Sequence, residues 1–314
     1  MPAFSAPVWT RRALVAALVV VAVCVAAAVA VVGFGRSGGG EDRPAYEVSK
    51  HTYLEVPGAG DSTAGWLLRP GDPQVRKGTI VMIHGGGWLK GATAEYTRPA
   101  AELLATRGFV VWNINYRRVG DGGGWPSTFT DVAAAVDHLA TLGRTFPEID
   151  TSRVTVVGHS AGGQLAAWTA GRATLPDGAP GARPVVVPHA VVSLAGVLDM
   201  RLSLTKNDHV LKVLGGTPEQ VPDRYRLVDP LERINPKVPV VAVTGTVDTV
   251  VPPREAAEFV TALRARGGVG AMIEIPATGH GEVVDVRNVW WPTVESTIAT
   301  IAEHGPRSVA ATAP

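Results

Sequence analysis

The 314 residues, 46% hydrophobic and 18% charged, hold enough apolar material for one large packed domain or two ordinary ones. Lys+Arg at 29 against Asp+Glu at 28 leaves a formal net charge of +1 with no basic stripe, which argues against a nucleic-acid partner. The single cysteine, Cys24, rules out an intramolecular disulfide and leaves stability to the core.

A short basic segment, residues 1–12, carries Arg11 and Arg12 and precedes a run from Ala13 to Gly35 without one charged residue. As a helix at about 1.5 Å per residue that run spans roughly 34 Å, enough for a hydrocarbon core of about 30 Å, whereas a cleavable signal needs only about 7 to 15 apolar residues. Residues 13–35 therefore read as a single-pass signal anchor. The paired arginines hold the N-terminus inside and place the remainder outside the cytoplasm, tethered to the cell membrane. Ala28-Val29-Ala30 offers a cleavage site that would yield a secreted protein, and a buried helix is the third reading. Residues 36–45, "RSGGGEDRPA", are polar and rich in glycine and read as a linker.

From Tyr46 short β-branched runs alternate with helical patterns. "TYLEV" (52–56) and "GWLLRP" (65–70) read as a strand hairpin around the turn-like "PGAGDSTA". Strands are then expected in 78–84, 109–117, 153–160, 189–197, 238–245 and 271–277, and helices in 98–108, 128–143, 162–171, 253–268 and near 286–304. Such alternation predicts an α/β fold with a mainly parallel central sheet and helices on both faces. Residues 46–305 make one domain, residues 198–237 form a lid-like insertion, and 306–314 are a tail.

"VVGHSAGGQ" (157–165) sets Ser160 between Gly158 and Gly162. With 36 glycines in the chain, G-x-S-x-G arises by chance roughly 0.1 times, so its place in the fold must decide its meaning. Ser160 follows a strand and precedes a helix, the context of a nucleophile elbow at the carboxyl end of a parallel strand. A Cβ at 158 or 162 would crowd the strand against the helix.

A serine hydroxyl needs a base, an orienting carboxylate and donors for an oxyanion. In the order Ser, acid, His, the acid is Asp248 in "GTVDTVVPP", with Asp229 in "LVDPL" as its rival. The base is His280 in "TGHGE", in competition with His84, His138, His159, His189 and His209. His84 is expected to shape a loop, and His159 to point away from its neighbour Ser160. "VMIHGGGW" supplies glycine amides free to face the site, and the Ala161 amide opens the helix after the nucleophile.

"HGGGW" (84–88), "NYR" (115–117), "GHSAGG" (158–163), "GTVDTVVPP" (245–253) and "GH" (279–280) resemble the HGGG-type esterase branch of the α/β-hydrolase superfamily over about residues 48 to 305. The same HGGxW stretch is similar to that of arylformamidases. The resemblance implies nucleophile Ser160, acid Asp248, base His280 and oxyanion donors Gly86, Gly87 and Ala161. It departs from hormone-sensitive-lipase relatives, which commonly carry Asp where this chain has His159. The expectation is a serine carboxylesterase that takes a small-molecule ester and needs no cofactor or metal. An arylformamidase acting on N-formylkynurenine and a membrane-tethered binding protein without chemistry are the rivals. Frequent charges and Gly/Pro punctuation in 198–237 leave no long amphipathic helix to shelter a lipid chain, so a small acyl pocket is expected.

Overall fold

The structure, a computed structural model, describes residues 45–72 and 74–305 together with 308. The segments read as basic lead and anchor, and the linker apart from its last residue, lie outside the described residues. Among the described residues no helix is long and apolar enough to cross a membrane.

The chain enters through a hairpin of β1 (Tyr46–Thr52) and β2 (Ala64–Pro70), with Tyr46 opposite Pro70 and Thr52 opposite Ala64. The first strand thus precedes the stretch 52–56 expected from sequence. β1 is an edge strand with no fully buried side chain, so it gives a weak apolar signal. The signal at Tyr53 has another origin, because its buried hydroxyl donates to the Asn115 carbonyl at 2.9 Å and plugs the loop onto the core.

Next come β3 (Thr79–Ile83), α1 (Arg98–Thr106), β4 (Val110–Ile114), α2 (Ser127–Asp137), α3 (Leu139–Thr145), β5 (Val154–His159), α4 (Ala161–Gly171) and β6 (Ala190–Leu194). The helix expected over 128–143 is two helices meeting at His138, whose carbonyl accepts from both Thr141 and Leu142. Residues 198–237 hold only the short helices α5 (Met200–Ser203), α6 (His209–Leu214) and α7 (Pro222–Val228). β7 (Val240–Gly245), α8 (Pro253–Ala265), β8 (Gly270–Ile275) and α9 (Trp291–His304) complete the chain. α9 starts later than expected, and Pro292 explains why: without an N–H it fits only the first helical turn.

The strands form one eight-stranded sheet in the order β1-β2-β4-β3-β5-β6-β7-β8. β2 is antiparallel to both neighbours, and every pairing from β4 to β8 is parallel. Both faces are buried. Val81, Ile83 and Val156 pack with Phe129 and Trp168 on one side, while Ile80, Met82 and Val157 pack with Leu104 and Ile298 on the other. Each such side chain is worth roughly 1.5–3 kcal/mol when fully buried. The loops after β3, β5, β7 and β8 therefore meet along one edge of a rigid sheet, where ligands of such sheets bind.

Candidate active site

Ser160 joins β5 to α4 with φ 55° and ψ −121°, a conformation that a non-glycine residue adopts only under tight constraint. Its N–H donates to the Leu194 carbonyl at 2.9 Å and its carbonyl accepts from Gly163 at 2.8 Å, so the backbone is held from both sides. The flanking glycines permit the turn. A Cβ on Gly158 would lie 2.0 Å from the Gly162 oxygen, and one on Gly162 would lie 2.3 Å from the Ile83 oxygen.

The turn aims Ser160 Oγ at His280, whose Nε2 is 2.8 Å away. His280 Nδ1 in turn lies 2.8 Å from Asp248 Oδ2. The other Asp248 oxygen accepts from the amides of Val250 at 2.8 Å and Val251 at 2.9 Å. Burial pushes the Asp248 carboxyl up, but the His280 hydrogen bond and these amides outweigh it and hold its pKa below the ordinary carboxylate value. The carboxylate can only accept, so Nδ1 carries the proton and Nε2 presents a lone pair to the Ser160 hydroxyl.

Gly86 (φ 100°), Gly87 (φ 62°) and Trp88 (φ 57°) curl the loop after β3 toward the serine. The amides of Gly86, Gly87 and Ala161 donate to no backbone carbonyl among the described residues, and all three residues border the cavity above Ser160. Trp88 Nε1 donates to Gln164 Oε1 at 3.1 Å and fastens the loop to α4. His84 is buried, its ring stacked 4.3 Å from that of Tyr116, and burial pushes its imidazole down to about 3. It braces the loop from behind and does not reach the serine hydroxyl.

Asp229 is buried at the end of α7, where it accepts from the Leu231 amide and pairs with no histidine among the described residues. Burial, with the nearby Asp199 charge, pushes its carboxyl up to about 8. His138 faces Trp112, and His189 lies against Gly305, both away from the serine. His159 departs from expectation. Its ring lies 4.9 Å from the His280 ring and it lines the cavity, held there by the hydrogen bond from its Nε2 to the His280 carbonyl.

The cavity over Ser160 measures about 320 Å³. Tyr96, Ser203, Asn207 and Val210 border it and were not singled out from sequence, and His209, weighed there only as a rival base, borders it too; four of the five come from the irregular segment 198–237, which has no periodic signal to place them.

Residues 68–263, well over half of the chain, match the family model described as BD-FAE. The chain belongs to the BD-FAE family. Its fold is that of the α/β-hydrolase superfamily. This BD-FAE protein is 30% identical over 218 residues to esterase LipC of Mycobacterium tuberculosis, covering 64% of its own length and 52% of LipC, so the match spans about half of that relative. It is also 30% identical over 235 residues to the α/β hydrolase domain-containing protein WAV2 of Arabidopsis thaliana, covering 70% of each. Among solved structures, esterase B of Lactobacillus rhamnosis superposes with a TM-score of 0.69 at 18% identity over 94% of this chain and 92% of that one. Butyrate-bound Est2, an esterase of Thermogutta terrifontis, superposes at 0.64 with 23% identity over 82% of this chain and 92% of its own. At such identities these two likenesses concern the fold.

Proposed function

We propose that this chain is a serine carboxylesterase that cleaves short-chain carboxylic esters through an acyl-enzyme. The single observation that carries the reading is the continuous hydrogen-bonded relay from Ser160 Oγ through His280 to the buried Asp248 carboxylate. The relatives named as esterases support it.

In the first step His280 Nε2 takes the proton of Ser160 while Oγ attacks the acyl carbon, and Asp248 stabilises the imidazolium. The carbonyl oxygen becomes an oxyanion facing the amides of Gly86, Gly87 and Ala161, where α4 adds the positive end of its dipole. On collapse the ester C–O bond breaks, and His280 returns the proton to the departing alkoxide. Water then gives its proton to His280, attacks the acyl-serine, and releases the acid with Ser160 restored.

Reaction of the purified protein with a fluorophosphonate, scored together with turnover of acetyl to butyryl p-nitrophenyl esters, tests the reading. Labelling and turnover that both vanish in Ser160→Ala are expected, and absent labelling would leave a protein with the fold and no chemistry. The "HGGGW" stretch places N-formylkynurenine in the same panel, and turnover of it far above every ester would make the chain an arylformamidase. We also propose that residues 13–35 tether the domain outside the cytoplasm, on the strength of their freedom from charge behind Arg11 and Arg12.

A further inference from the structure

The cavity above Ser160 is walled largely by apolar groups, among them Trp88, Val197, Val210 and Val251, yet two hydrogen-bonding side chains interrupt that wall on one flank. They are Asn207 and His209. The imidazole of His209 lies so close to the oxyanion loop that a Cβ built on Gly87 would meet its Nδ1 at 2.5 Å. Asn207 Oδ1 accepts the His209 backbone N–H at 2.9 Å, which fixes the orientation of the amide and leaves its Nδ2 as the outward donor. Neither that Nδ2 nor the His209 ring has a hydrogen-bond partner among the described residues. Ser203 differs, since its hydroxyl is committed to Glu255 Oε1 at 2.7 Å.

The two ends of an ester can be assigned to the two flanks by chemistry. His280 must return a proton to the leaving oxygen, so the alcohol lies on the His280 side. There a second cavity of about 680 Å³ begins at Gly281 and Tyr96, and Tyr96 borders both cavities. The acyl group then extends the other way, past Gly87 toward His209 and Asn207. Gly87 is one of the three residues whose amides are assigned to the carbonyl oxygen, so a side chain packed on it reaches atoms one or two bonds beyond that carbonyl.

We propose that Asn207 and His209 form a polar acyl subsite that selects short acyl groups bearing a hydroxyl at C2 or C3. The inference rests on the esterase reading and names its substrate class. A hydroxyl both donates and accepts, so it satisfies the imidazole in either tautomer while accepting from the Asn207 amide. A plain alkyl chain of the same length leaves both groups without partners in a confined space, which costs affinity. A few placed polar groups in an apolar pocket are the usual means of fixing a ligand's orientation.

The test compares kcat/KM for p-nitrophenyl 3-hydroxybutyrate, each enantiomer separately, with that for p-nitrophenyl butyrate, each value divided by the ester's own rate of hydroxide hydrolysis. Two hydrogen bonds predict a preference of about tenfold or more for one hydroxylated enantiomer. His209→Leu and Asn207→Leu, made separately and checked for folding by circular dichroism, should each cut that preference at least threefold. Equal rates on the two esters in the unsubstituted protein overturn the subsite. So does a preference that survives both substitutions, or a loss equal on both esters, which would make the residues structural. In each of those cases the unsubstituted protein still turns over butyrate and is labelled by the fluorophosphonate, and the esterase reading stands, whereas a lack of labelling and of all ester turnover in the unsubstituted protein removes both.

Discussion

His159 donates its Nε2–H to the backbone carbonyl of His280 at 2.9 Å. The carbonyl can only accept, so the tautomer is set, and the bare Nδ1 is buried without a partner. Desolvation, followed by the nearby His280, pushes the His159 imidazole down to about 4, so the ring stays neutral beside a base that must become charged. On the proposed mechanism, this contact makes His159 a positioning residue for the loop that carries His280. His159→Ala should lower kcat about tenfold with little change in KM, and His159→Gln, whose amide can still donate, should recover part of it. Equal activity of all three proteins would remove the role. The acid limb of the kcat/KM profile near neutrality should carry no contribution from His159, whose imidazole is held down at about 4.

Ser160→Ala and His280→Ala should each abolish nearly all turnover and leave the melting temperature within a few degrees, because both side chains stand at loop positions over the sheet. Members of a hydrogen-bonded relay act as a unit, so the double variant should be little worse than either single one. Additive losses in ester turnover would count against the relay.

The two aspartates separate by chemistry and by pH. Asp248→Asn should lower kcat by about a thousandfold or more, since a carboxamide no longer dictates the tautomer of His280. Asp229→Asn should retain turnover. The folded pKa of Asp229, raised from the ordinary 3.8 to about 8, means that its contribution to stability is fully present below pH 3.8 and is lost as pH rises through about 8. Melting temperatures from pH 5 to 9 should therefore decline less in Asp229→Asn than in the unsubstituted protein. An identical decline in the two proteins would contradict burial of an ionisable Asp229.

Acyl length offers another check. Each buried methylene is worth about 0.8 kcal/mol, so a long groove would give steadily rising kcat/KM from acetyl to dodecanoyl p-nitrophenyl esters. The cavity of about 320 Å³ leads instead to a maximum between acetyl and butyryl and a fall by octanoyl. A monotonic rise to dodecanoyl would mean that the wall formed by residues 198–237 moves aside.

Location is tested by fractionation. Full-length protein should pellet with membranes, and protease added to intact spheroplasts should digest the domain. A soluble mature form beginning near Val31 would show cleavage, and protection from external protease would reverse the orientation.

The parallel strands were legible because a strand buried on both faces, such as "TIVMI" at 79–83, is an unbroken apolar run bounded by turn residues. β1 was misplaced because an edge strand with one wet face and one half-covered face mixes polar and apolar residues with no run to detect. At the candidate site, Ser160, Asp248 and His280 announced themselves because each sits in a short stretch just past a strand. Asn207 and His209 did not. Their place on the cavity wall comes from the path of a segment whose longest helix is seven residues, and neither periodicity nor spacing encodes that path.

The segment 198–237 is fastened to the body at several places. Glu255 of α8 accepts from the amides of Leu198 and Asp199 and from Ser203. The Trp125 amide donates to the Val213 carbonyl at 2.8 Å, and Trp168 and Gln164 of α4 donate to the carbonyls of Leu227 and Val228. Asn207 and His209 lie between the first two fastenings, on a span tied at Ser203 and at Val213. These ties lead us to expect a cover over Ser160 that keeps its shape when substrate arrives. On the proposed subsite, acyl preference is then written at two positions of that cover, and an exchange at 207 must keep an acceptor for the His209 amide if the local turn is to survive.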